Sequence, residues 1–139
     1  MNKNFPPPYP VIAVDFDGTI CQNAYPDIGE PNWHTIEKAK QEQEHGAKLI
    51  LWTCREGGSL ARAVAACMEW GLTFDAINEN LPEWREAYGT NPRKIGATEY
   101  WDDRSVWMGG ESGGWRTIRG ASITIRSREK IRSFINDAL

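Results

Sequence analysis

Cysteine, histidine and methionine are scarce in this chain of 139 residues, which contains three, two and three of them. The cysteines, Cys21, Cys54 and Cys67, have no CxxC spacing, and this argues against both a disulfide framework and a zinc site. No apolar run approaches the ~18 residues that a membrane span needs, so we expect no transmembrane helix. The amino-terminal stretch MNKNFPPPYP lacks the apolar segment of a secretory signal, and we therefore expect a cytoplasmic protein.

The length and composition are those of one globular domain. Hydrophobic residues make up 40% and charged residues 25% of the chain, and the formal net charge is -3. We expect a proline-rich arm over residues 1–10 and a single domain over residues 11–139. Residues 104–139 are basic, which indicates either an anion-binding edge or a solvated helix face.

Apolar strand patterns alternate with helical patterns along the chain. Because strands and helices alternate with short connections, we expect a parallel sheet covered on both faces, an α/β fold of the Rossmann-like, doubly wound class. The second helix is expected to start at a Ser59 cap and to bury Leu60, Val64, Cys67 and Met68. The predicted strands are residues 11–16, 48–53, 74–77, 98–101 and 121–125, and the predicted helices are residues 33–44, 59–70, a short one after Pro82 and one capped by Ser127.

Polar side chains cluster directly after three of the predicted strands. They are Asp15 and Asp17 after the first strand, Thr53 and Arg55 after the second, and Asp102 and Asp103 after the fourth. Ligands of open α/β sheets bind at the carboxyl ends of the strands, where the strand order reverses. Hard carboxylate oxygens together with cationic side chains suit magnesium and phosphate. If the first and fourth strands are neighbours, Asp15, Asp102 and Asp103 can share one Mg²⁺ ion.

These residue types also predict roles in phosphate chemistry. An aspartate beside a metal-bound phosphate can act as a covalent nucleophile, which favours this role for Asp15, and Asp17 is then free to exchange protons. The candidate phosphate-binding residues among them are Cys54, Arg55 and Lys94. Each has a plainer alternative: Arg55 as an ion-pair partner of Glu56 or another acid, Lys94 as a surface lysine, and Cys54 as a small packing residue.

Four segments resemble, in order, the motifs of the haloacid dehalogenase-like hydrolases. They are DFDGT at 15–19 after the strand VIAV, LILWT at 49–53, Lys94, and EYWDD at 99–103. The resemblance implies that Asp15 is the nucleophile and Asp17 the general acid/base. It also implies that Thr53 and Lys94 bind phosphate, and that Mg²⁺ is bound by Asp15, Asp102, Asp103 and the backbone carbonyl of Asp17. The second aspartate of the first motif favours phosphate transfer over dehalogenation.

The chain resembles the smallest members of that family, which have no cap domain. Only one helix fits between residues 19 and 48, and only a helix, a short strand and a turn fit between residues 53 and 94. The resemblance therefore implies an open site that either a large phosphorylated substrate or a neighbouring subunit of a homo-oligomer covers. Residues 104–120, rich in glycine, are expected to narrow its entrance, with Arg104 and Arg116 supplying charge for an anionic substrate. No sequence pattern indicates a nucleic-acid or membrane partner.

Three functions remain open at this point. We expect a magnesium-dependent phosphatase or phosphotransferase that acts on a phosphomonoester through phospho-Asp15. The first alternative is a module of the same fold that binds magnesium and phosphate without turnover. The second is a receiver-like phosphoacceptor domain, which the sequence disfavours because in receivers the Asp-Asp pair precedes the other site residues. A plainer alternative for Asp15 and Asp17 is that they only form a turn, and the joint pattern of the four segments argues against it.

Overall fold

In a computed structural model, residues 8–106, 108 and 125–139 are described, the side chains of residues 125–128 excepted. The chain divides into two compact units, the first ending at Ser105 and the second beginning at Val106. The elements of the first unit are β1 (Val11–Val14), α1 (Trp33–Glu44), β2 (Lys48–Leu51), α2 (Gly57–Glu69), β3 (Ala76–Ile77), α3 (Pro82–Tyr88) and β4 (Glu99–Trp101). The described part of the second unit contains α4 (Ile125–Ala138).

Within the described residues, four strands form one sheet in the order β3-β2-β1-β4, and every neighbouring pair is parallel. The strand β1 therefore lies between β2 and β4, with Val14 opposite both Leu51 and Trp101. The chain progresses outward from β1 through β2 to β3 and then returns to the other side of β1. The strand order thus reverses between β1 and β4, which places the topological switch point there.

The two faces of the sheet bury separate apolar clusters. Alternate residues of a strand point to opposite faces, and in β1 this sends Ile12 and Val14 to one side and Val11 and Ala13 to the other. The first cluster packs against α1 and α2, and the second against the α3 region. The sheet is therefore covered on both sides, and the prediction of a Rossmann-like α/β fold is confirmed at this level.

Several predicted elements differ in their ends. Ser59 lies inside α2, which begins at Gly57, and its hydroxyl donates to the Glu56 carbonyl at 2.9 Å, so its predicted capping role is wrong. Met68 was expected in the buried face but is 67% exposed, because Ala63, Ala66 and Cys67 fill the interface instead. Residues 121–124 of the predicted fifth strand lie outside the described residues, and Ile125 belongs to α4.

The other expectations concern the cysteines, membrane-spanning helices, the glycine-rich stretch and the number of domains. All three cysteines carry free thiols, as expected. No helix among the described residues is both long and apolar enough to cross a membrane. Most of the glycine-rich stretch 104–120 lies outside the described residues, so its predicted effect on the entrance stays a prediction, as does a single domain over residues 11–139.

Candidate functional site

The predicted acidic residues come together at the switch point. Asp15 directly follows β1, and Asp102 and Asp103 follow β4, the neighbouring strand. The backbone N–H of Asp15 donates to the Trp101 carbonyl at 2.9 Å, so the pairing of the two strands continues to the first residue of the site. Parallel pairing therefore brings carboxylates from distant parts of the sequence to one edge.

The three carboxylates are close enough to share a cation. One oxygen from each of Asp15, Asp102 and Asp103 lies within 4.8 Å of the others. Asp15 is half-buried, whereas Asp102 and Asp103 are exposed. Burial, and then the nearby charge of Asp102, raise the pKa of Asp15 to about 6. The pKa rises because both effects disfavour the ionised form, and a divalent cation at this point would relieve the repulsion.

Thr19 links the two strand ends. Its hydroxyl oxygen accepts the backbone N–H of Asp103 at 3.1 Å and donates to Asp15 Oδ2 over a longer 3.5 Å. The preceding residue, Gly18, has φ +90, and a Cβ atom there would lie 2.4 Å from Asp103 Oδ2. The loop after β1 therefore needs glycine at this position to approach Asp103. Thr19 was not predicted as a site residue, although it is the last residue of the DFDGT segment, which could have marked it.

Asp17 lies in the same loop and forms an ion pair with Arg55. Arg55 Nε and Nη2 donate to the two carboxylate oxygens of Asp17, each at 2.8 Å. Arg55 is 2% exposed, one of the two buried polar or charged residues in the described part of the chain. A guanidinium that meets a carboxylate through two parallel bonds fixes the plane of that carboxylate as well as its distance.

The remaining Arg55 donors also have protein partners. Nη1 donates to the carbonyls of Pro26 and Ser59, both at 3.2 Å, and Nη2 donates to the carbonyl of Asp27 at 2.7 Å. Together with the Asp17 bonds, these contacts use all five N–H groups that an arginine offers. Of the roles considered for Arg55, an ion pair with an acid is the one observed, and the acid is Asp17. Contact with phosphate would require one of these bonds to open.

Thr53 and Cys54 follow β2, as predicted. The backbone N–H of Thr53 donates to Asn78 Oδ1 at 2.8 Å, and Asn78 Nδ2 donates to the Arg55 carbonyl at 3.2 Å. Asn78 has φ 52, a left-handed conformation that asparagine tolerates. Asn78 thus holds the loop that carries Thr53, Cys54 and Arg55, a role that no sequence motif indicated.

A cavity of about 470 Å³ lies at this edge of the sheet. Lys94, the remaining predicted phosphate-binding residue, is exposed in the segment before β4 and lies outside the lining. Asn23 and Tyr25 were not predicted, because nothing in their loop sequence marks them. Arg104 also lines the cavity, and its predicted contact with an anionic substrate stays a prediction. The lining residues are Asp15, Asp17, Asn23, Tyr25, Thr53, Cys54, Arg55, Asp102, Asp103 and Arg104.

The chain is thus a Rossmann-like α/β protein with an acidic, oxygen-rich cavity at its switch point. It is similar to a solved structure of a conserved protein coded by a locus of Bacteroides thetaiotaomicron, at 44% identity and a TM-score of 0.63. The match covers 70% of this chain and 78% of that one, so the chain belongs to the same family as this conserved protein. No protein-family model matches the chain, and no curated protein matches it. This similarity does not identify a reaction for the chain.

Proposed function

We propose that the protein is a magnesium-dependent phosphomonoester phosphatase or phosphotransferase of the haloacid dehalogenase-like type. One observation carries the proposal: Asp15, Asp102 and Asp103 present oxygens within 4.8 Å of one another at the carboxyl ends of adjacent parallel strands. Asp17 and Thr53 line the same cavity. This grouping supports the nucleophile, proton-transfer, phosphate-binding and metal roles that the sequence resemblance implies.

The donor set fits magnesium. Mg²⁺ takes a few carboxylates, substrate phosphate oxygens and waters, and soft sulfur or imidazole ligands do not suit it. Asp15, Asp102 and Asp103 would hold the ion, with the backbone carbonyl of Asp17 as a further ligand. When bound, the ion neutralises charge on the carboxylates and on the phosphate oxygens.

In the first chemical step, a carboxylate oxygen of Asp15 attacks phosphorus, and the bond from phosphorus to the leaving-group oxygen breaks. Asp17 gives a proton to that oxygen. In the second step, Asp17 takes a proton from water as the water oxygen attacks the phosphorus of phospho-Asp15. Inorganic phosphate leaves and the Asp15 carboxylate is restored; an acceptor alcohol in place of water gives phosphate transfer.

Thr53 and Arg104 are the polar groups best placed to contact the phosphate or the rest of the substrate. The Thr53 hydroxyl accepts the backbone N–H of Arg55 at 3.1 Å and retains its own proton for donation. Arg104 is exposed on the cavity lining. Because Arg55 is fully engaged and Lys94 lies outside the lining, we assign the cationic contact to Arg104 and keep Lys94 as a prediction from the resemblance.

The arrangement of the chain supports a site without a cap domain. Between β1 and β2 the described chain has one helix, α1, and between β2 and β4 it has α2, β3 and α3. Every one of these elements belongs to the sheet or its helical layers. We therefore propose an open cavity, which a large phosphorylated substrate or a second subunit would cover.

A magnesium- and phosphate-binding module without turnover is the second candidate. It is favoured by the position of Lys94 outside the cavity lining. The receiver-like alternative loses support, because receivers have the strand order 2-1-3-4-5. Here β1 lies between β2 and β4.

The test is release of phosphate from an aryl phosphomonoester, with and without magnesium, by the wild type and by Asp15→Asn. Magnesium-dependent release that Asp15→Asn abolishes would support the enzyme. If the wild type binds magnesium but releases no phosphate from a panel of phosphomonoesters, the binding module is the better description.

A further inference from the structure

Arg55 connects two parts of the chain that border the cavity. On one side it meets Asp17 in the loop after β1. On the other side it donates to the carbonyls of Pro26 and Asp27. Those carbonyls belong to residues 22–30, here called the wall loop, which contributes Asn23 and Tyr25 to the cavity lining. A single buried side chain therefore touches both the proposed acid/base residue and one wall of the site.

The aromatic contacts strengthen this connection. The guanidinium carbon of Arg55 lies 5.1 Å from the ring centre of Phe16 and 5.0 Å from that of Tyr25. Phe16 is fully buried, whereas Tyr25 is 60% exposed at the cavity. Within this range a guanidinium is attracted to an aromatic ring. Arg55 thus contacts both the buried ring of Phe16 in the core and the exposed ring of Tyr25 at the cavity wall.

We infer that Arg55 is a positioning residue, which fixes the Asp17 carboxylate in the cavity lining and holds the wall loop against the site. Its catalytic consequence rests on the proposed function, in which Asp17 transfers protons. The wall loop would then partly replace a cap, because it lines the cavity and Arg55 ties it to Asp17. Lysine cannot replace arginine here, since an ammonium lacks the planar fork that meets both carboxylate oxygens.

The kinetic test compares Arg55→Gln, Asp17→Asn and the double variant on aryl and alkyl phosphates. A general acid matters most for poor leaving groups, so Arg55→Gln should lower kcat for alkyl phosphate by about 100-fold and that for aryl phosphate far less. The aryl phosphate KM should change little. In the Asp17→Asn background, Arg55→Gln should lower kcat for alkyl phosphate by less than about a further threefold, as expected for a residue that acts through Asp17. A raised KM for every substrate and an undiminished cost in that background would instead assign Arg55 to phosphate binding and overturn the inference.

A second measurement does not depend on turnover. In Arg55→Gln the backbone amides of residues 22–30 should exchange hydrogen about tenfold faster, while those of β2 keep their wild-type rates. Arg85→Gln is the matched control, because Arg85 forms an exposed ion pair with Glu79 and should leave both sets unchanged. If Arg55→Gln fails to fold, seen as loss of protection in β2, Arg55→Lys replaces it with the same expectation.

Phosphate release and hydrogen exchange distinguish a failure of the proposed function from a failure of the inference about Arg55. Wild-type protein that releases no phosphate refutes the proposed function, while the exchange result still decides whether Arg55 holds the wall loop. Unchanged exchange in residues 22–30 of a folded Arg55 variant refutes the inference even if the enzyme is active.

Discussion

Replacing Asp102 by asparagine should stabilise the metal-free protein above neutral pH. The side chain keeps its size, and its Oδ1 still accepts the Arg104 backbone N–H, which lies at 3.0 Å in the wild type. What it loses is the negative charge beside Asp15, the second-largest cause of the raised pKa of Asp15. The substitution therefore tests the electrostatic cost of the carboxylate cluster in metal-free protein.

The size of the effect follows from the distance and the exposure. The oxygens of Asp15 and Asp102 lie within 4.8 Å of each other, and two like charges at that limit repel by about 1 kcal/mol in bulk water and by about 3 kcal/mol at an effective dielectric constant of 20. The pKa of Asp15, about 6, lies roughly two pH units above the ordinary value, which corresponds to about 3 kcal/mol before screening. Because Asp15 is only half-buried, solvent screening reduces this to about 1–2 kcal/mol, of which Asp102 supplies a part. We expect a gain near 1 kcal/mol, or about 4–8 °C in Tm for a unit of this size.

The effect should depend on pH in a defined direction. The folded-state pKa of Asp15, about 6, lies above the value of about 3.9 in an unfolded chain. The folded protein therefore holds a proton more tightly, and wild-type stability falls as the pH rises through this window. The advantage of Asp102→Asn should be small at pH 4 and complete above pH 7.

Thermal unfolding followed by circular dichroism in metal-free buffer at pH 4 and pH 8 measures this difference. Glu99→Gln, which removes an exposed charge from β4, the strand directly before Asp102, controls for the change in net charge. Added magnesium should raise the Tm of the wild type more than that of Asp102→Asn. The reasoning is refuted if Asp102→Asn is no more stable than the wild type at pH 8, or if it gains equally at both pH values.

Three further substitutions test the site. Thr19→Val should weaken magnesium affinity by about tenfold, measured by calorimetry, while Thr19→Ser should retain it, because only the hydroxyl joins Asp15 to the Asp103 N–H. Gly18→Ala should lower the free energy of unfolding by about 1–3 kcal/mol, seen in urea melts, since φ +90 and the Asp103 carboxylate both oppose a Cβ atom; an unchanged midpoint would contradict the close approach. Asp17→Asn should reduce alkyl phosphate turnover more than aryl phosphate turnover, and equal losses would remove its general-acid role.

The strands that carry the acidic site could be predicted from the sequence. The run VIAV is apolar at every position and β-branched at three of its four, which suits a strand buried on both faces. Parallel strands present their carboxyl ends at one edge, so residues directly after β1, β2 and β4 had to share that edge. The grouping of Asp15 with Asp102 and Asp103 needed only the additional fact that β1 and β4 are neighbours.

The partners of individual side chains were decided by the tertiary structure. Arg55 and Asp17 are 38 positions apart, and Thr19 and Asp103 are 84 positions apart. No local period or propensity relates such residues, because their contact depends on how two loops approach each other across the sheet edge. For the same reason the sequence left Arg55 open between phosphate contact and ion pair.

The sequence by itself determined the class of fold and the strand ends at which the candidate site lies, because hydrophobic periodicity and the residues that follow each strand are local properties of the chain. Only the tertiary structure decided which of the predicted side chains line one cavity. It brought in Asn23 and Tyr25 from an unmarked loop and left Lys94 outside the lining. The physical reason is that loop conformation is set by specific hydrogen bonds and ion pairs, such as those of Arg55, rather than by residue pattern.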